Sequence, residues 1–184
     1  MRFIVRREGK FSPFFSFFLN SQICFLSSKL LEVMQLSEVN TTLEKSLQET
    51  IKQIKLIELE NIYNPFFRNF VIKTFGNISN QFEQIKAIWN YAIKNFKYED
   101  DPGDELLTAP KWLLQTKKGD CDDFALFVKS CLTVLNIPCF YLLAGKTFEG
   151  FTHIAVITQD GIIIDPTNDK FNFLSNEYIN RHIV

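Results

Sequence analysis

Histidine is scarce in this chain: two in 184 residues, so any imidazole-dependent chemistry must run through His153 or His182. Charge of one sign is also lacking. Twenty Lys and Arg stand against 21 Asp and Glu, a net charge of -1, which argues against a general polyanion-binding role and against nucleic acid as a partner. The four cysteines, Cys24, Cys121, Cys131 and Cys139, are spaced by 97, 10 and 8 residues, matching neither a zinc-ligand pattern nor a CxxC redox pair. Internal repeats and low-complexity tracts are absent, and the length suits one domain with a real core rather than two. What remains is ordinary for a globular chain, 46% hydrophobic and 22% charged.

Residues 1–33 stand apart. Arg2, Arg6, Arg7 and Lys10 precede a phenylalanine-rich stretch that Pro13, Asn20 and Gln22 interrupt. The arrangement resembles a signal peptide but has no small-x-small cleavage site, and it is too short and polar to span a bilayer. Two readings stay open: a cleaved or anchoring segment, or a mis-assigned start with translation beginning at Met34, which is the favoured one. Residues 34–184 are then read as a single domain. The expected location is cytoplasmic, with secretion the alternative if residues 1–33 act as a signal, and no stable membrane insertion is expected.

Along that domain, Val39, Leu43, Leu47, Ile51, Ile54 and Ile57 recur at steps of three and four, which predicts a helix over roughly Leu36 to Leu59, broken by Asn64-Pro65. A second helix starts after Ser79 or Asn80, with Glu83 as capping-box partner, and carries Phe82, Ile85, Trp89, Ala92 and Phe96. The stretch from Lys97 to Pro110 reads as a surface loop, with Asp101-Pro102-Gly103-Asp104 as its acidic turn. It lacks the alternating ligand spacing of a calcium loop, so no metal and no cofactor is expected. Lys111 to Gln115 is a short helical turn before a Lys117-Lys118-Gly119 corner, and a third helix runs on to about Leu135, ended by Asn136 and Pro138. Then the period changes to two. Cys139–Ala144, Thr152–Thr158 and Ile162–Ile164 read as strands of an antiparallel meander, an α+β layout.

Three cysteines lie in apolar surroundings and read as small buried hydrophobes. Cys121, in Gly119-Asp120-Cys121-Asp122-Asp123-Phe124-Ala125, does not. A thiol in the first turn of a helix meets free backbone N–H groups and the positive end of the dipole, both of which favour the thiolate. The neighbouring carboxylates oppose this unless a cation stands near. For Asp122 and Asp123 the default reading is support of the helix N-terminus. His182 is three residues from the end, where order is often poor, which leaves His153 as the candidate base. Asp165, after three isoleucines, needs a partner or an exit to water. A two-residue loop at Asp160-Gly161 would put it on the opposite face from His153. A three-residue loop, Gln159 to Gly161 with Gly161 left-handed, pairs Thr158 with Ile162 and Ala155 with Asp165, and so brings the two onto one face, diagonal neighbours about 7–8 Å apart at the backbone. The three-residue register is the prediction.

With Cys121, His153 and Asp165 in that order, the sequence resembles the transglutaminase-like branch of the papain-like cysteine enzymes, over roughly Phe82 to Thr167. The resemblance rests on the Cys121 stretch, the Asn136-Ile137-Pro138 corner, Thr152 to Val156, and Gly161 to Thr167. It implies a papain-like core with N-terminal helices, the cysteine heading a helix packed on an antiparallel sheet. It also implies a Cys-His-Asp triad that acts on protein or peptide amides through an acyl-enzyme, by hydrolysis or by transamidation. The oxyanion donor would be Gln115 or Trp112, and for Trp112 core packing is the competing reading. The segment before Cys121 resembles a variant carried by some phage proteins, which would make the location host-cytoplasmic or virion-associated. The chain has no room for the accessory β-domains of animal transglutaminases, so calcium activation is not expected. A non-enzymatic interaction or virion-structural module on the same fold is the alternative. Substrate identity and oligomeric state are left open.

Overall fold

A computed structural model describes residues 45–101, 106–148 and 150–184. Cys24, the segment 1–33, the first part of the first helix and the turn at Pro102-Gly103-Asp104 lie outside these. All described elements belong to one compact unit, Glu44–Val184.

Helix α1 (Lys45–Tyr63) reaches four residues past the expected end, and Asn64 leaves helical geometry, as a residue before proline does. The chain does not then turn into loop. Pro65 is the first residue of α2 (Pro65–Phe75), a helix the sequence reading missed. Proline breaks a helix it lies within but is well placed to open one, and Asn64 caps it by accepting from the Phe66 and Phe67 N–H groups at 3.0 and 3.2 Å. Helix α3 (Gln81–Asn95) is capped by Asn80, whose side chain accepts from the Glu83 N–H at 3.0 Å. It buries Ile85, Ile88, Trp89 and Ala92, while Phe82 stays exposed with its ring against Phe171.

Two short pieces differ from expectation. Lys97–Tyr98 (β1) was read as loop and Lys118–Gly119 (β2) as part of a corner, but they pair in parallel, Lys97 with Lys118 and Tyr98 with Gly119. Two-residue strands have no alternation for a sequence pattern to show. Between them, α4 (Pro110–Thr116) ends at Lys117, which is left-handed at φ 61°. Helix α5 (Cys121–Val134) is the axis of the molecule. It is buried nearly throughout, because α1, α2, α3, α4 and the sheet all pack on it. Much of the phenylalanine content goes into its surroundings: Phe67, Phe70, Tyr91 and Phe96 ring Phe127, the Phe96 and Phe127 rings edge to face at 4.8 Å.

The main sheet has strand order β5-β4-β3-β6, all antiparallel: β3 (Cys139–Gly145), β4 (His153–Thr158), β5 (Ile163–Ile164) and β6 (Asn180–Ile183). The first three form the expected meander. The fourth corrects the expectation that order fails around His182: Leu143 pairs with His182 and Gly145 with Asn180, so the C-terminal residues add an edge strand. One sheet face, with Tyr141, Leu143, Ile154, Val156 and Ile164, joins the helical core. The other carries Leu142 and Ala144 and is covered by Leu174 and Tyr178 from the segment leading to β6. The fold is thus helices, sheet and an irregular outer layer.

A buried polar cluster ties α1 to this core. Glu58 accepts from Lys129 Nζ at 2.9 Å and Thr133 Oγ1 at 3.0 Å on one oxygen, and from the Tyr141 hydroxyl at 3.1 Å on the other. Three elements meet at one carboxylate. No helix among the described residues is long and apolar enough to cross a membrane.

Candidate active site

The β4–β5 turn decides whether His153 and Asp165 can meet. Val156 pairs with Ile164 and Ile157 with Ile163, which continues to Thr158 opposite Ile162 and Ala155 opposite Asp165. The Thr158 N–H donates to the Ile162 carbonyl and the Gly161 N–H to the Thr158 carbonyl, both at 2.9 Å. Gly161 has φ +83°, the left-handed value the three-residue loop needs. Both side chains therefore stand on the same face, and His153 Nε2 lies 2.9 Å from Asp165 Oδ2. The pair is buried, with Asp165 2% and His153 8% exposed.

The other Asp165 oxygen accepts from the Thr167 N–H at 3.1 Å and from the Thr167 hydroxyl at 2.6 Å. With donors around it, the Asp165 carboxylate is the acceptor, so the imidazole is assigned to donate through Nε2–H, which leaves Nδ1 to receive a proton. Two aromatic residues absent from the sequence reading of the site flank the pair. Trp89 donates its indole N–H to the Asp165 backbone carbonyl at 3.1 Å from α3, 76 residues away. Tyr178 lies with its ring parallel to the imidazole, 5.0 Å between centroids at 9°. Neither had a local signal, since each reaches the site by a long-range contact.

Cys121 opens α5, partly exposed, with Asp120 as N-cap accepting from the Asp122 N–H at 3.2 Å. Asp123, at the third helical position, accepts from the Thr108 N–H and back from the Asp120 N–H, which completes a capping box. Its carboxyl lies so close to Gly119 that a Cβ there would come within 2.4 Å of Oδ2. Burial, with the Asp120 charge adding to it, pushes the Asp123 carboxyl up to about 7 against the hydrogen bonds that favour its ionised form. Asp122 is buried beside it.

The Cys121 sulfur takes a hydrogen bond from the Ile154 backbone N–H, which sets it against the start of β4, one residue from His153. Burial pushes the thiol up to about 12, with the Asp120, Asp122 and Asp165 carboxylates adding to the rise and the Ile154 N–H opposing it. Tyr98 stands on the same side, its hydroxyl raised well above the usual range by burial, by a hydrogen bond to Asp100 and by the nearby Cys121 and Asp120 charges. Trp112 and Gln115 both lie exposed on α4; Trp112 is 52% exposed, so the core-packing reading of it fails. Of the other cysteines described, Cys131 is fully buried and Cys139 half-buried, and neither forms a disulfide.

Asp120, Asp122 and Asp123 each offer a carboxylate oxygen within 4.8 Å of the others. Asp120 and Asp123 are already engaged in capping.

Several known proteins are similar to parts of this chain. Residues 68–147 match the family described as the transglutaminase-like superfamily. The kyphoscoliosis peptidase of Mus musculus is 27% identical over 122 residues, 52% of this chain and 18% of that protein, so the chain spans under a fifth of that relative. Among solved structures, Legionella pneumophila LapG in calcium-bound form is 17% identical over 73% of this chain and 81% of that one, with a TM-score of 0.49. The EGTA-treated form of LapG gives the same TM-score and identity over 71% and 79%. A phage or prophage origin finds no support in these relatives. The matched segment runs from within α2 through α5 to just past the end of β3, and over it the chain is similar to the transglutaminase-like superfamily.

Proposed function

We propose that the protein is a cysteine-nucleophile enzyme acting on protein or peptide amides, with Cys121 as nucleophile, His153 as base and Asp165 as the group that orients it. The observation that carries this reading is the buried 2.9 Å contact between His153 Nε2 and Asp165, at the strand start where the Ile154 N–H reaches the Cys121 sulfur. Nδ1 of His153 takes the thiol proton as the sulfur attacks the amide carbon. The C–N bond then breaks, the proton passes to the leaving amine, and a thioester remains on Cys121. Water resolves it to an acid, or a second amine to a new amide. The tetrahedral oxyanion needs donors; the Cys121 backbone N–H is one, with the Gln115 or Trp112 side chain as the second. Hydrolysis is the favoured outcome.

The elevated thiol sharpens the test. A lone thiol raised to about 12 is almost wholly protonated at pH 6, so on this reading reactivity there comes from proton transfer to His153. Iodoacetamide at pH 6, read by mass spectrometry of the Cys121 peptide, should label wild type rapidly and His153→Ala hardly at all. Equal, slow labelling of both would refute the enzyme reading and favour an inactive interaction module. Incubation with casein, with and without a primary amine, then separates the two acyl-transfer outcomes: new termini or deamidation for hydrolysis, amine incorporation for transamidation.

A further inference from the structure

Tyr178 comes from the irregular segment that covers the outer sheet face, far from Cys121 in sequence, and yet its ring lies parallel to the His153 imidazole at 5.0 Å and 9°. Its backbone is held on both sides. The Tyr178 N–H donates to the Ser175 carbonyl at 3.2 Å, its carbonyl accepts from Arg181 Nε at 3.2 Å, and the next residue, Ile179, donates to the Gly145 carbonyl at 3.0 Å. Glu177 pairs with Lys146 at 2.8 Å, which joins the same segment to the turn between β3 and β4. Strand β6 follows at once and pairs along β3. A ring placed this firmly on an imidazole has a chemical consequence, because the π face is negative and a planar cation lying over it is stabilised.

We infer that Tyr178 is a positioning residue for His153: its ring holds the imidazole in the plane that meets Asp165 and favours the imidazolium formed when the Cys121 proton is transferred. The inference rests on His153 being the base. It makes the C-terminal segment part of the site, since the segment supplies one wall of the base and β6 fastens that wall to the sheet. Asp165, just after β5, meets the His153 ring edge and Tyr178 its face, while the Cys121 sulfur is held by the N–H of the next residue, Ile154. Lys146 and Glu177 act on the Tyr178 ring from beside it. Asp165 favours the imidazolium from the ring edge and Tyr178 from the ring face, so the two contributions can be separated by substitution.

The test uses the full chain and reads His153 directly. With only two histidines, the imidazole nitrogens can be followed by NMR through a pH titration, and His182→Gln identifies the signals. Tyr178→Phe keeps the π face and should leave the His153 midpoint and the pH 6 alkylation rate of Cys121 near wild type. Tyr178→Leu removes the face and should lower both the imidazolium affinity and the alkylation rate by about two- to five-fold, the range expected for loss of one cation–π contact. Tyr178→Met, flexible and of similar bulk, should behave as leucine does and guards against a leucine variant that fails to fold. A leucine or methionine variant that unfolds at lower temperature but keeps the wild-type His153 midpoint would overturn the inference, leaving Tyr178 as packing alone. A phenylalanine variant as impaired as leucine would overturn it too. An inert Cys121 in wild type, with the midpoint shift still present, would instead refute the nucleophile reading and leave the effect of Tyr178 on His153 standing.

Discussion

Replacing Gly119 by alanine would put a methyl carbon 2.4 Å from Asp123 Oδ2, 2.8 Å from its Cβ and 3.0 Å from its Cγ. None of those atoms is the free end of a mobile side chain. Asp123 is 1% exposed and its carboxyl is fastened to the Thr108 and Asp120 N–H groups, so the side chain cannot swing aside without releasing both. The alternative is for the backbone to move, and that backbone pairs with Tyr98 on one side and leads into Cys121 two residues later. Forcing one carbon into a closed space costs about 1–3 kcal/mol. For a chain of this length that corresponds to a fall in midpoint temperature of about 2–12 °C. The assay is thermal unfolding of wild type, Gly119→Ala, Asp123→Ala and the double variant. Asp123→Ala removes the obstacle, so the double variant should be less destabilised than the two single changes added together, a coupling of at least about 0.5 kcal/mol. Full additivity, or a Gly119→Ala protein as stable as wild type, would refute the claim that this glycine is required by the carboxylate beneath it.

Asp123 also carries a pH dependence. Its folded carboxyl lies near 7, above its ordinary 3.8, so the folded state holds a proton that the unfolded chain has released between those values. Its contribution to stability is fully present below about 3.8 and is lost as pH rises through about 7. Subtracting the stability of Asp123→Asn from that of wild type across pH 3 to 8 in urea titrations should leave a curve that falls in that window; a flat or rising difference contradicts it. Glu58→Ala leaves Lys129, Thr133 and Tyr141 without their shared acceptor, in a site where the Lys129 and Glu58 side chains are 15% and 10% exposed. A loss of about 3–5 kcal/mol by urea denaturation is expected, the range for breaking a buried charged pair. A loss below about 1 kcal/mol would mean that α1 is held by its apolar face alone.

The sequence by itself carried the parts that depend on neighbours along the chain. The capped start of α3 at Asn80, the Asn136 corner and the placement of Cys121 in a first helical turn all rest on contacts within four residues. Even the meeting of His153 with Asp165 was legible, because Gly161 supplies the left-handed turn residue and a period of two then fixes which side chains share a face. Helix α2 was lost for a local reason as well: Asn-Pro was read as an ending when the same two residues cap and open the next helix. Tertiary structure alone decided the rest. Trp89 from α3 and Tyr178 from the segment before β6 both reach the His153–Asp165 pair, and β6 binds an edge of the sheet that no periodicity identifies. The rise of the Cys121 thiol follows from burial, and burial is set by what packs on α5 from five directions. Local geometry is written in spacing, whereas the environment of a group depends on which distant surfaces close over it.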